Sequence, residues 1–135
     1  MSLYKQFKTD PSVERDGVIL DYGDGVKIRI ARAGGVNNKA FLRAIEAFAR
    51  KHRRQIQLDT LPEDVSRQIL REVVATTVVL GWEGVTDEAG NSLPFTKENA
   101  IKLFEDLPDL FSDLYAQAQN AALFREDVRE ADAKN

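Results

Sequence analysis

Val73-Val74-Ala75-Thr76-Thr77-Val78-Val79-Leu80, followed by Gly81-Trp82, is the stretch whose reading decides the fold of this chain. It closes a segment in which Val65, Ile69, Val73 and Leu80 lie roughly along one helical face. Thr60 and Glu63, just upstream, have the spacing of a capping box, and Pro62 suits a helix start. From Val73 onward the segment is apolar or threonine on every side. A helix without a polar face has to be buried all round, in the core or against another chain. The same β-branched run also suits a strand. We take the helical reading and keep the strand as its alternative.

Downstream, Gly81 breaks the apolar run, and Trp82, the only tryptophan, follows it. Trp82–Thr86 and Leu93–Phe95 form an expected short hairpin around Asp87–Ser92, with a tight turn on Ala89-Gly90-Asn91. Thr96 is placed to cap a third helix carrying Ile101, Phe104 and Leu107. Pro108 stops it, because its ring and missing amide do not fit a helix interior. A fourth helix from about Asp109 carries Phe111, Leu114, Tyr115, Ala118 and Ala122 on one side.

Upstream, Val18-Ile19-Leu20 and Val26–Ala31 flank Asp21-Tyr22-Gly23-Asp24-Gly25. The second run alternates apolar and charged residues, the period of a half-buried strand. Asp-Gly between two such runs predicts a hairpin, because glycine accepts the positive φ of the turn. Asn37 or Asn38 caps the first helix, with Phe41, Ala44, Ile45 and Phe48 on one stripe. The expected fold class is α+β: an N-terminal β-hairpin packed on about four helices, with a short connector hairpin between helices 2 and 3. Residues 1–15 read as a flexible arm, 16–124 as a single domain, and 125–135 as a charged tail.

Composition narrows the function classes. With 135 residues, 30% charged and 43% apolar, the chain has the size and balance of one globular domain. Its net charge of −3 gives no general attraction to DNA or anionic lipid. The absence of cysteine removes disulfides and thiolate chemistry and suits a reducing cytoplasm. Met1–Lys8 holds no apolar run of signal-peptide length, and no segment approaches the ~20 apolar residues that span a bilayer.

No constellation reads as catalytic. The single histidine, His52, sits in a basic helix end between Lys51 and Arg53, where a solvated terminus explains it better than general-base chemistry. One histidine per chain excludes a histidine metal pair. Asp21, Asp24 and Gly25 lack the spacing and closing glutamate of a calcium loop. Asp106, Asp109 and Asp113 are better explained by capping and the helix dipole than by a cation. The glycine pairs lack the trailing Lys-Ser/Thr of a phosphate loop. Arg43 with Arg50, Lys51, Arg53 and Arg54 is the one nucleic-acid-like feature. It is short and has no interleaved aromatics, so a solvated or partner-facing surface is preferred. We expect no enzyme activity, cofactor or metal.

The ordered series Leu80-Gly81-Trp82-Glu83-Gly84-Val85, the Asp/Gly turn, Leu93–Ala100 and Leu107-Pro108-Asp109-Leu110-Phe111 resembles the tail assembly chaperones of long-tailed bacteriophages. Ile28–Asn37 looks like the hairpin and linker near the start of the same proteins. The resemblance spans roughly Val18 to Tyr115. It implies a protein absent from the finished virion that acts in the host cytoplasm. Such a protein binds the apolar, helical tape measure protein and keeps it soluble while tail tube subunits polymerise around it. It also implies a longer form made by programmed frameshift, which recruits the major tail protein; this chain would match the short form. Homo-oligomerisation belongs to the same expectation.

Apolar residues in excess of one helical face suggest the contact surface, since a domain of this size has limited interior. Val78, Val79, Trp82, Phe95, Leu114 and Tyr115 are the candidates for meeting the client or another copy. A small structural tail subunit (a completion or connector protein) is the alternative function. A nucleic-acid-binding regulator built on the Arg50–Arg54 cluster is the weaker one.

Overall fold

Asp24 and Gly25 both take positive φ, 53° and 81°, and between them turn the chain through a two-residue loop. The computed structural model, which describes residues 2–125, shows β1 (Val18–Gly23) and β2 (Val26–Ile30) paired antiparallel on either side of this loop. Val18 faces Ile30 and Leu20 faces Ile28 across the ladder. These four are buried, whereas Ile19, Asp21, Lys27 and Arg29 point to the open side, as a period of two requires.

The sheet has a third strand, β3 (Val79–Glu83), antiparallel to β2 and giving the order β1-β2-β3. This corrects the helical reading of Val79 and Leu80, and it pairs Trp82 with β2 where the connector hairpin was expected to begin. Two physical causes meet there. The hydroxyls of Thr76 and Thr77 turn back onto the carbonyls of Glu72 and Val73 at 2.7 and 2.6 Å, a bonding mode that loosens a helix end. The second edge of β2 also needs a partner for its amides, and a β-branched run supplies one. The Ala31 amide donates to the Val78 carbonyl at 2.8 Å, so the helix passes into the strand through a single residue. Chain order is therefore two short helices, two strands, helices, a strand and more helices; the α+β class stands, with a three-stranded sheet in place of a lone hairpin.

The helices enclose the inner face of the sheet. α3 (Lys39–Lys51) is capped by Asn38, whose oxygen accepts from the Phe41 amide at 3.3 Å. α4 (Arg53–Gln57) follows after a break at His52. α5 (Glu63–Thr77) packs against α3 and against α6 (Lys97–Asp106). Thr96 caps α6 through the Asn99 amide at 3.0 Å, and Pro108 opens α7 (Pro108–Gln119) at its first position. The Thr60–Glu63 capping box is not formed: Pro62 is the cap residue of α5, and the Thr60 amide and hydroxyl both reach back to the Gln55 carbonyl. Val74, Val78, Phe104 and Leu114 meet Ile28 and Ile30 in one core.

Residues 1–15 are not simply an arm. α1 (Leu3–Phe7) is exposed, but α2 (Pro11–Asp16) buries Val13 in the core and Glu14 beside it. A 3₁₀ turn, Ala121–Phe124, follows α7 and buries Phe124 completely. The Asp10 amide donates to the Phe124 carbonyl at 2.8 Å, and Thr9 and Arg125 form a bridge, so α2 and this turn close the core together. Apart from Arg125, the expected charged tail 125–135 lies outside the described residues.

Gly84 is where the connector comes closest to the hairpin. Its φ is 75°, and a Cβ built there would lie 2.2 Å from the Gly25 carbonyl oxygen. Gly90 has a similar φ of 88° with nothing within 4 Å of such an atom. Gly90→Ala should therefore cost only the ~1–2 kcal/mol of a left-handed residue. Gly84→Ala carries that cost plus a backbone collision, and its denaturant midpoint should fall clearly below that of Gly90→Ala. Equal midpoints would mean that the two strand ends move apart freely.

Candidate partner-binding surfaces

Trp82 lies on the inner side of β3, opposite Ile28. Its indole N–H donates to the Leu93 carbonyl at 2.8 Å, and its ring meets Phe95 edge-on with centroids 5.0 Å apart. The two aromatics are half-buried and join the sheet to the connector before α6 begins. The connector closes as a turn in which Asp87 accepts from the Asn91 amide and Thr86 bridges Ser92.

The remaining candidates divide. Val78, Val79 and Leu114 are 0%, 4% and 0% exposed, so they are core residues and cannot meet a partner in this state. Tyr115 is half-buried and stacks on Phe111 at 5.7 Å, and burial raises its phenol pKa. The excess of apolar residues around Val73–Trp82 is taken up by the third strand, which gives the run two surroundings instead of one: α5 between α3 and α6, then β3 beside β2. Trp82, Phe95 and Tyr115 pack against the core from its margin, and the six residues do not form one exposed surface.

Exposed apolar groups lie elsewhere. On α1, Leu3, Tyr4 and Phe7 are 71%, 80% and 66% exposed, with Leu3 and Phe7 one turn apart. Arg125 places its guanidinium 5.7 Å from the Phe7 ring centre. The signal for an ordered N-terminus was present in the chain: Asp10 before Pro11 is an N-cap followed by a first-turn proline, and Asp10 does cap α2 through the Ser12 amide at 2.9 Å.

A groove of about 750 Å³ runs between the connector and α6. Leu93, Leu103 and Leu107 give it apolar lining; Asp87, Glu88 and Asp106 give it three carboxylates, against one cation, Lys102, which pairs with Asp106 at 3.3 Å. Charge is also unevenly placed along the chain. Residues 39–71 hold eight Lys and Arg against four Asp and Glu, whereas residues 83–113 hold two against eight. Arg50, Lys51, Arg53 and Arg54 are all exposed, and none has an ion pair among the described residues. His52 shares its ring Nδ1 with the Gln55 amide oxygen at 2.9 Å and packs beside Phe48.

Two polar ties, one exposed and one buried, join separate elements. Tyr22 donates to Asp113 at 2.8 Å, joining β1 to α7; burial, with Asp113 beside it, pushes the phenol pKa up. Glu14, 1% exposed, accepts from Arg32 at 2.5 Å and from the Asn37 amide. Among the described residues no group of three or more His, Cys, Asp or Glu is placed to hold a metal, and no helix is long and apolar enough to cross a membrane.

A family model described as YdaY prophage protein matches residues 36–135, well over half of the chain and all of it from the linker before α3 onward. The class this defines is a phage-derived protein. More narrowly, the chain belongs to the YdaY prophage protein family. No curated protein and no solved structure matches it.

Glu14 makes the fold sensitive to acid. Burial of its carboxyl raises the pKa, but hydrogen bonds from Thr9, Asn37 and Arg32 and the charge of Arg32 outweigh that and hold it below 4.5. A folded-state pKa below the unfolded one adds stability that is complete above about pH 4.5 and is lost as pH falls through the folded value. Glu14→Ala should cost about 3 kcal/mol at neutral pH, because Arg32 and Asn37 lose a buried partner. Urea midpoints of wild type and Glu14→Ala should converge as pH drops below 4.5; a gap that stays constant would assign the loss to packing.

Proposed function

We propose that this chain is a tail assembly chaperone that binds the phage tape measure protein, keeps it soluble and helps tail tube subunits assemble around it. Membership of a prophage protein family supports the phage setting. The ordered sequence features from Val18 to Tyr115 support the chaperone role. The observation that carries the binding role is α1: a short helix with Leu3, Tyr4 and Phe7 turned outward, 66–80% exposed. An apolar helical client that would aggregate alone can lay its apolar face against such a helix, as in other helix-recognition modes.

On this reading the protein is not an enzyme. It works in the host cytoplasm, stays out of the mature virion, and has a frameshifted longer form as the link to the major tail protein. Client contact is assigned to α1, since Val78, Val79 and Leu114 are occupied in the core.

Co-expression with the tape measure protein tests the proposal. Wild type should carry the client into the soluble fraction and co-purify with it. Leu3→Glu with Phe7→Glu should reduce recovery of the complex by about tenfold or more, since burying each side chain contributes ~1.5–3 kcal/mol. The thermal melt should change little, because both side chains are largely exposed and only the Arg125–Phe7 contact is lost. A client that stays insoluble beside wild-type protein overturns the reading. Retention of the chain in purified particles favours the structural tail subunit instead.

A further inference from the structure

Leu58 is 61% exposed and Ile56 44%, although both sit in the most basic part of the chain. They stand on and just after α4, among Arg50, Lys51, Arg53 and Arg54. Asp59 takes φ 54° and the Thr60 amide returns to Gln55, so the chain doubles back and leaves this corner projecting. The groove beside α6 has the opposite character. Leu107 there is 49% exposed, Leu93 and Leu103 are half-buried, and Glu88 and Asp106 are exposed beside them.

We propose that copies of this chain assemble head to tail, the basic α4 corner of one copy seating in the acidic groove of the next. Two exposed apolar side chains, close in sequence to four exposed cations, meet an apolar groove whose lining holds three carboxylates and one lysine, so apolar character and net charge sign agree. Burying Ile56 and Leu58 supplies the attraction, and the charges select orientation and suppress like-with-like pairing. The corner and the groove share no residue. The contact is therefore heterologous, each copy keeps one free end, and the assembly grows as a ring or an open row. A nucleic-acid backbone fits less well: it offers nothing to Ile56 and Leu58, and it would approach a protein of net charge −3.

The test needs only the purified full-length chain, so its outcome is separate from that of the client reading. Two double variants are made, Arg53→Glu with Arg54→Glu, and Glu88→Lys with Asp106→Lys. All four sites are exposed, and circular dichroism checks that both variants fold. By sedimentation at low ionic strength, wild type should associate, and about 1 M salt should weaken association by about tenfold or more. Each variant alone should be monomeric. An equimolar mixture should assemble again, because the acidic corner of one fits the basic groove of the other while the remaining corner and groove form the original pairing. Monomeric wild type at low salt, association surviving in either variant alone, or a mixture that stays monomeric would each overturn the proposal. So would duplex DNA binding by wild type that is lost in the Arg53/Arg54 variant while that variant still associates.

Discussion

Asn38 is 6% exposed and binds three separate pieces of chain with one side chain. Its oxygen caps α3, and its amide donates to the Arg32 carbonyl and to the Thr77 carbonyl, each at 3.0 Å. The end of β2, the start of α3 and the end of α5 are therefore fixed relative to one another at a single point. A buried amide left short of partners costs about as much as a lost hydrogen bond, so the side chain enforces all three contacts together. The placement of β3 follows from that junction. Once Thr77 is held beside Arg32, Val79 comes opposite Ile30, and β3 can only run back along β2.

Much of this was legible in the chain because the relevant physics is local. Asp24-Gly25 specifies its own turn, Thr96 finds the Asn99 amide three residues on, and Pro108 separates α6 from α7 by its own geometry. The Asn37-Asn38 pair was also readable as a cap, although not the division of labour in which Asn38 caps and Asn37 binds Glu14. What escaped depends on partners far along the chain. Val79–Glu83 pairs with residues about fifty positions earlier, and nothing within the run itself chooses strand over helix. Glu14 looked like one more charged residue of a polar terminus, because Arg32 and Asn37 are recognisable as its partners only once folded.

The same distinction explains the binding surface. Counting apolar residues around Val73–Trp82 correctly signalled more burial than one helical face can absorb. The surplus was met inside the protein, where Val78 and Val79 leave the helix and enter the sheet. Surface character instead appears where local pattern carries little weight: on the five-residue α1, on the short α4 and along one side of α6. Short elements bury little and are positioned by their neighbours, so their apolar side chains face outward without a periodic signature.

The pairing of α2 with the last described turn has a consequence for how the protein is made. Val13 and Phe124 belong to one core although more than a hundred residues separate them. During synthesis the hairpin, α3 and α5 can assemble as they emerge, since their contacts are closer in sequence. The Asp10–Phe124 bond and the packing around it wait until the last turn has left the ribosome. Until then α2 is held by Arg32 and Asn37 through Glu14, and the part of its surface that meets Phe124 stays wet. The nascent chain thus carries an uncovered strip of apolar surface on α2 for as long as residues 121–124 are missing.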